Sequence, residues 1–174
     1  MVMKKIVLLF LSALSIESYS QDNFSNVEIE GQKIQLLTAK SGDIYKSGKL
    51  STGEIIKTGC DHGACYIKIE YKGKTISKGI GDDISKVTIY EYDFGNDGDK
   101  EIIVVNEFMD TAFIFAYSYG RGMAQKIFEK EVLYYRTVVK PNHIEYYMPS
   151  GLDQVWNYYL GQFWAMSQIQ LSDY

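Results

Sequence analysis

Asp93-Phe94-Gly95-Asn96-Asp97-Gly98-Asp99-Lys100-Glu101 runs straight into the aliphatic stretch Ile102-Ile103-Val104-Val105. Four carboxylates and a turn glycine are crowded between two segments that both read as strands, Val87 to Asp93 and Glu101 to Phe108. Asp, Asn and Gly at the tip supply the backbone conformations that a tight reversal needs. The stretch therefore predicts a hairpin with an acidic tip, and it sets the expectation for the chain on either side.

Working outward, strand follows strand. Val27 to Glu30 and Lys33 to Thr38 flank a turn at Gly31-Gln32, and Gly53 to Thr58 leads into a loop bounded by Cys60 and Cys65. From Cys65 to Tyr71, Tyr66, Lys68 and Glu70 alternate with Ile67, Ile69 and Tyr71, the period of two that buries one face of a strand. Lys72-Gly73-Lys74 turns the chain into Thr75 to Lys78. Beyond the acidic tip come Ala112 to Tyr119, a turn at Gly120-Arg121-Gly122, and Gln125 to Val132. Thr38 to Leu50 carries no clear strand signal.

Tyrosine pairs at Tyr134-Tyr135, Tyr146-Tyr147 and Tyr158-Tyr159 recur every twelve residues. That interval suits a meander of Val132 to Val139, His143 to Met148 and Gln154 to Leu160, with Gly161-Gln162 turning into Phe163 to Ile169. Neighbouring residues on a strand point to opposite faces, so one tyrosine of each pair should pack inward and the other should face solvent. Two readings follow. The tyrosines either pack across strands, or Tyr135, Tyr147 and Tyr159, joined by Trp156 or Trp164, form an exposed ladder that meets a protein or a glycan. The fold class expected is all-β: an antiparallel meander or sandwich, or a partial propeller-like sheet, in one domain.

The first twenty residues have a different character. Lys4 and Lys5 precede the apolar run Ile6 to Leu11, and small and polar residues follow up to Ser18-Tyr19-Ser20. This is the order of a secretory signal peptide, with the mature chain expected to begin at Gln21. The apolar segment reaches only about a dozen residues, against roughly 18 to 20 for a membrane span. No cysteine adjoins the expected cleavage point, which argues against a lipid anchor. The 154 residues of 21–174 fit one domain with a sizeable core. Their net charge is −5, since the removed segment takes two lysines and Glu17 with it. Scattered Lys and Arg on an acidic chain argue against nucleic acid as a partner. A secreted or periplasmic location is expected.

Export also bears on Cys60 and Cys65. An even cysteine count in an oxidising compartment points to a disulfide stapling a small hairpin. The competing reading gives Cys60, Asp61, His62 and Cys65 to zinc, but a closed zinc site asks for further ligands and the rest of the chain offers only His143.

The acidic tip also has the composition of a calcium loop, in which oxygen ligands converge on a hard cation around a glycine bend. With Asp93 as first position, Asp97 is fifth, Gly98 sixth, Asp99 seventh and Glu101 ninth. The twelfth is Val104, where an EF-hand needs a bidentate glutamate, so the loop is not an EF-hand. Asp93, Asp97, Asp99 and Glu101 are the candidate ligands. With the aliphatic strand that follows, Asp93, Asp97, Gly98 and Glu101 resemble the strand-loop-strand calcium repeat of the FG-GAP and VCBS type over residues 87–108. The resemblance implies a calcium ion that fixes the hairpin. Gly95 departs from it, standing at the third position where an oxygen-bearing side chain belongs, and Asn96 comes one place late. The sequence holds one copy, whereas a propeller is built from several.

Signatures of catalysis are missing: no Gly-x-Ser-x-Gly elbow, no His-Glu-x-x-His, no phosphate-binding glycine loop. The alternative to a binding protein is a secreted glycan-processing enzyme, which needs two facing carboxylates drawn from residues such as Asp43, Glu54, Asp82, Asp83, Glu107 and Asp110. The expected function is that of an exported, non-enzymatic protein with a calcium-stabilised loop, for example a periplasmic inhibitor or immunity-type protein. Its expected partner is a protein or a cell-envelope glycan.

Overall fold

A computed structural model describes residues 27–43, 45–61, 64–71, 74–82, 85–108, 111–120, 123–132 and 136–166. The expected signal peptide and Tyr135 lie outside the described residues, as do His62, Asp83 and Asp110. In chain order the strands are β1 (Val27–Ile29), β2 (Lys33–Lys40), β3 (Lys46–Lys49), β4 (Ile55–Asp61) and β5 (Ala64–Tyr71). Then come β6 (Lys74–Asp82), β7 (Lys86–Tyr92), β8 (Glu101–Glu107), β9 (Ala112–Gly120) and β10 (Met123–Val132). The last four are β11 (Thr137–Lys140), β12 (His143–Met148), β13 (Gly151–Tyr159) and β14 (Gln162–Ala165).

The all-β expectation holds. Three four-strand meanders succeed one another along the chain, β3 to β6, β7 to β10 and β11 to β14, and each forms a sheet. The two strands that precede them join the later sheets: β2 pairs antiparallel with β7, and β1 pairs parallel with β11. Gly31-Gln32 is therefore a crossing between two sheets and does not close a hairpin. The segment Val132 to Val139, read as one strand, is divided between the end of β10 and the start of β11. In the stretch left unassigned, Lys46–Lys49 forms an edge strand, Lys-Ser-Gly-Lys, which has no apolar residue to betray it.

The sheet built on β7 to β10 lies between the other two, and the burial pattern shows why. All seven residues of β8 are buried, as an unbroken aliphatic run requires when both faces of a sheet are covered. Ile102 and Val104 pack on one side with Val87, Ile89, Phe115, and with Ile56, Ile67 and Ile69 of the β3–β6 sheet. Ile103 and Val105 pack on the other side with Ile114, Phe128, and with Val139, Ile144 and Tyr146 of the β11–β14 sheet. In the β3–β6 sheet, β5 keeps its alternation: Cys65, Ile67 and Ile69 are buried and Tyr66, Lys68 and Glu70 are half-exposed.

Candidate functional site

Turns from all three meanders meet at one end of the stacked sheets and line an open cavity of about 740 Å³. The β3–β4 turn contributes Ser51, Thr52 and Glu54, and the β7–β8 loop contributes Asp97, Asp99 and Lys100. Glu101 and Tyr119 line it from the central sheet, and Tyr158 and Leu160 from the β13–β14 hairpin. Four carboxylates face one lysine there.

The acidic loop is shaped by its own hydrogen bonds. The Asp93 carboxylate accepts the backbone amides of Asp97 at 3.2 Å and Gly98 at 3.0 Å, and Asp97 accepts the amide of Asp99 at 3.0 Å. Asn96 and Gly98 take the positive φ values, 51° and 90°, that let the chain wrap around Asp93. Gly95 has a different reason. A Cβ placed there would stand 2.8 Å from the Asp97 carboxylate, so glycine leaves room for Asp97 to fold back over it. Phe94 roots the loop: it is fully buried, with its ring 4.7 Å from that of Tyr92 and 4.8 Å from that of Phe163.

Glu101 opens β8 and is only 4% exposed. It accepts the Tyr158 hydroxyl at 2.5 Å and the Phe94 amide at 3.2 Å. Burial pushes its carboxyl above the usual range; the two hydrogen bonds work against that, and the charges of Asp93 and Asp97 reinforce it. The Tyr158 hydroxyl is pushed up in turn, first by burial and then by donating to Glu101.

Oxygen-only donors suit calcium, yet among the described residues no three His, Cys, Asp or Glu side chains converge as an ion cage requires. Asp93, Asp97, Asp99 and Glu101 belong to one loop and its root, but Asp93 and Asp97 are turned onto amides.

Sequence reasoning missed Glu91, the second buried carboxylate at this end. It is 1% exposed on β7 and accepts the Ser51 amide at 2.9 and 3.0 Å, the Ser51 hydroxyl at 2.9 Å and the Tyr119 hydroxyl at 2.7 Å. It thereby ties the β3–β4 turn to the central sheet. Its place in Val-Thr-Ile-Tyr-Glu-Tyr is the only signal, an acid on a strand otherwise fit for a core.

The tyrosine pairs divide as expected where they are described. Tyr146 is buried and Tyr158 packs inward, while Tyr159 is 67% exposed. Tyr147 and Tyr159, however, do not stand side by side. Tyr147 lies opposite Leu152, and Tyr159 is seven residues farther along β13, a separation of about 23 Å. Strands of a meander reverse direction, so residues at the ends of successive strands go to opposite ends of the sheet. Trp156 points away from Tyr159, and its ring packs 5.4 Å from Phe128 between the sheets. The exposed tryptophan is Trp164, at 61%.

On the outer face of the same sheet, Glu145 accepts the Lys140 ammonium at 2.9 Å and the Tyr147 hydroxyl at 2.7 Å, with His143 Nε2 at 3.1 Å. Burial raises its pKa, but these three contacts outweigh burial and hold it below the ordinary value. Of the acids weighed for a catalytic pair, Asp43 lies 3.6 Å from Lys46 and Glu107 is bridged to Lys86 at 2.8 Å. Among the described members of that set, Glu54 lines the acidic cavity. Cys60 and Cys65 are direct partners in the β4–β5 ladder, and Asp61 pairs with Ala64 beside the turn.

Comparison with known proteins returned no family model, no curated protein and no solved structure that matches the chain.

Proposed function

We propose that this protein is an exported binding protein whose partner docks at the turn-lined acidic end. One observation carries the reading: turns from three separate meanders converge there on a cavity with four carboxylates, next to a hairpin tip whose apolar side chains stand in solvent. Elsewhere most of the described apolar side chains fill two cores, with Ile34, Tyr45, Met123 and Leu152 also exposed. A rigid three-layer body presenting clustered turns is the usual arrangement of a recognition surface. An inhibitor or immunity-type role in the periplasm agrees with a small acidic domain and with the expected signal peptide over residues 1–20. A Cys60–Cys65 disulfide belongs to the same proposal, because cross-strand partners bring two Cα atoms within reach of a bridge.

Likeness to the FG-GAP and VCBS calcium loop stays within this proposal. An ion on the loop would draw on Asp93, Asp97, Asp99 and Glu101 and would require Asp93 and Asp97 to turn from backbone amides toward it. The cation would then order the rim of the docking surface and take no part in chemistry.

A second reading has an observation of its own. Glu101, with its raised pKa, and the acids Asp97 and Glu54 share one cavity, and a protonated acid beside a carboxylate is what glycoside hydrolysis employs. The two readings part in one experiment. The mature protein is mixed with oligosaccharides from the cell envelope, and both retention and turnover are measured for the wild type and Glu101→Gln. Retention of a partner without turnover supports the binding role; hydrolysis that Glu101→Gln abolishes replaces it with the enzyme.

A further inference from the structure

Three described residues other than glycine have positive φ: Asn96 at 51°, Asn142 at 69° and Leu160 at 51°. Two of them are asparagine, the side chain that tolerates this conformation. The third is leucine. Leu160 and Gly161, at φ 51° and 76°, form the two-residue turn between β13 and β14, a turn whose sequence is ordinarily Asn-Gly or Asp-Gly. Leucine in the left-handed region is unfavourable, and at 83% exposure it gains no burial in return.

The side chains around it extend the patch. Tyr159 is opposite Gln162 and Trp164 is opposite Asn157, so Tyr159 and Trp164 are diagonal neighbours on one face of the hairpin. They are 67% and 61% exposed. Leu160 and Gly161 also line the acidic cavity, which places an apolar tip and a cluster of carboxylates side by side.

We propose that the Tyr159–Leu160 tip, with Trp164 behind it, is the anchor of a docking surface for a cationic protein segment: an apolar residue packs on Leu160 and Tyr159 while a neighbouring Lys or Arg reaches Glu54 and Asp99 in the cavity. The choice of occupant rests on charge complementarity. An acidic cavity with a single lysine repels anionic surfaces and attracts basic ones, and aromatic and aliphatic anchors at its rim supply the desolvated contact that a protein partner needs. The inference builds on the binding function proposed above by naming the partner's chemistry.

Leu160→Asn makes the test clean, because it removes the anchor while relieving the backbone, so lost binding cannot be blamed on unfolding. A phage-displayed library of random dodecapeptides is selected on the immobilised mature protein, and the recovered peptides are titrated against the wild type, Leu160→Asn and Glu54→Gln/Asp99→Asn. The expected peptides carry Lys or Arg beside Leu, Phe or Trp. Their affinity should fall at least tenfold with Leu160→Asn and with the charge variant, and it should weaken as salt is raised, while thermal unfolding of Leu160→Asn shifts upward or not at all. Neutral or acidic peptides, or equal binding to Leu160→Asn, would overturn the inference. So would self-association through the tip. If an envelope glycan binds the wild type and Leu160→Asn alike, this inference fails and the broader binding function survives.

Discussion

The Tyr158 hydroxyl donates to the Glu101 carboxylate at 2.5 Å, joining two sheets through residues 57 positions apart in the chain. Glu101 is the first residue of β8 in the central sheet, and Tyr158 lies on β13, near the end of an outer one. The contact closes the seam between those layers at the end that carries the cavity.

Removing that donor should be felt. Tyr158→Phe leaves the buried carboxyl with the Phe94 amide as its described partner and is expected to cost about 1 to 2 kcal/mol. Urea unfolding, read as a lower midpoint at unchanged slope, checks it.

Glu101 itself gives a pH signature. Its folded pKa is raised above the ordinary 4.5, so the ionised group lowers stability at neutral pH, and that penalty fades as pH falls through the folded pKa toward 4.5. Glu101→Gln should therefore be more stable than the wild type at pH 7. Below pH 4.5 the difference should vanish. Unfolding free energies of the two proteins across this interval make the comparison.

Glu91→Ala strips the β3–β4 turn of the carboxylate that holds Ser51 and releases Tyr119. Losing these hydrogen bonds should cost about 3 kcal/mol. Hydrogen exchange at Ser51 and Gly53 should speed up more than exchange in β12, which marks the turn as the part set free.

Calcium offers a fourth measurement. An ion at about 100 times its dissociation constant stabilises a folded protein by about 2.7 kcal/mol, and the proposal expects the unfolding temperature to rise with calcium in the wild type and not in Asp93→Asn. An unchanged temperature in the wild type leaves the loop as a turn closed by its own amides.

For Cys60 and Cys65, reduction should add the mass of two hydrogens and lower stability by about 2 kcal/mol, the effect of closing so short a loop. A protein that gains no mass on reduction removes the bridge.

Much of the architecture was legible in the sequence, and the reasons are local. His143 to Met148 and Cys65 to Tyr71 declare themselves through alternation and flanking turns, because one covered face imposes a period of two. Ile102 to Val105 declares its burial on both faces by having no alternation at all. What stayed hidden depends on distant parts of the chain. Nothing near Val27 tells that its partner is Thr137, and nothing in Glu91 tells that Ser51 will come to it. The acidic loop was visible as a cluster of ligand-type residues. That Asp93 and Asp97 turn to backbone amides follows from the path of the loop, and Gly95 becomes intelligible only once Asp97 is seen folded over it. The tyrosine spacing misled because it counts residues, whereas a surface depends on which end of each strand they occupy.

The parallel pairing of Val27 with Thr137 spans 110 residues. A ribosome releases β1 long before β11 exists, so the earliest strand must wait, unpartnered, until nearly the whole chain has emerged. The β3–β6 and β7–β10 meanders have no such dependence, since each is built from neighbouring hairpins. Assembly should thus proceed from the middle of the chain outward, with the β1–β11 ladder as its last and slowest event.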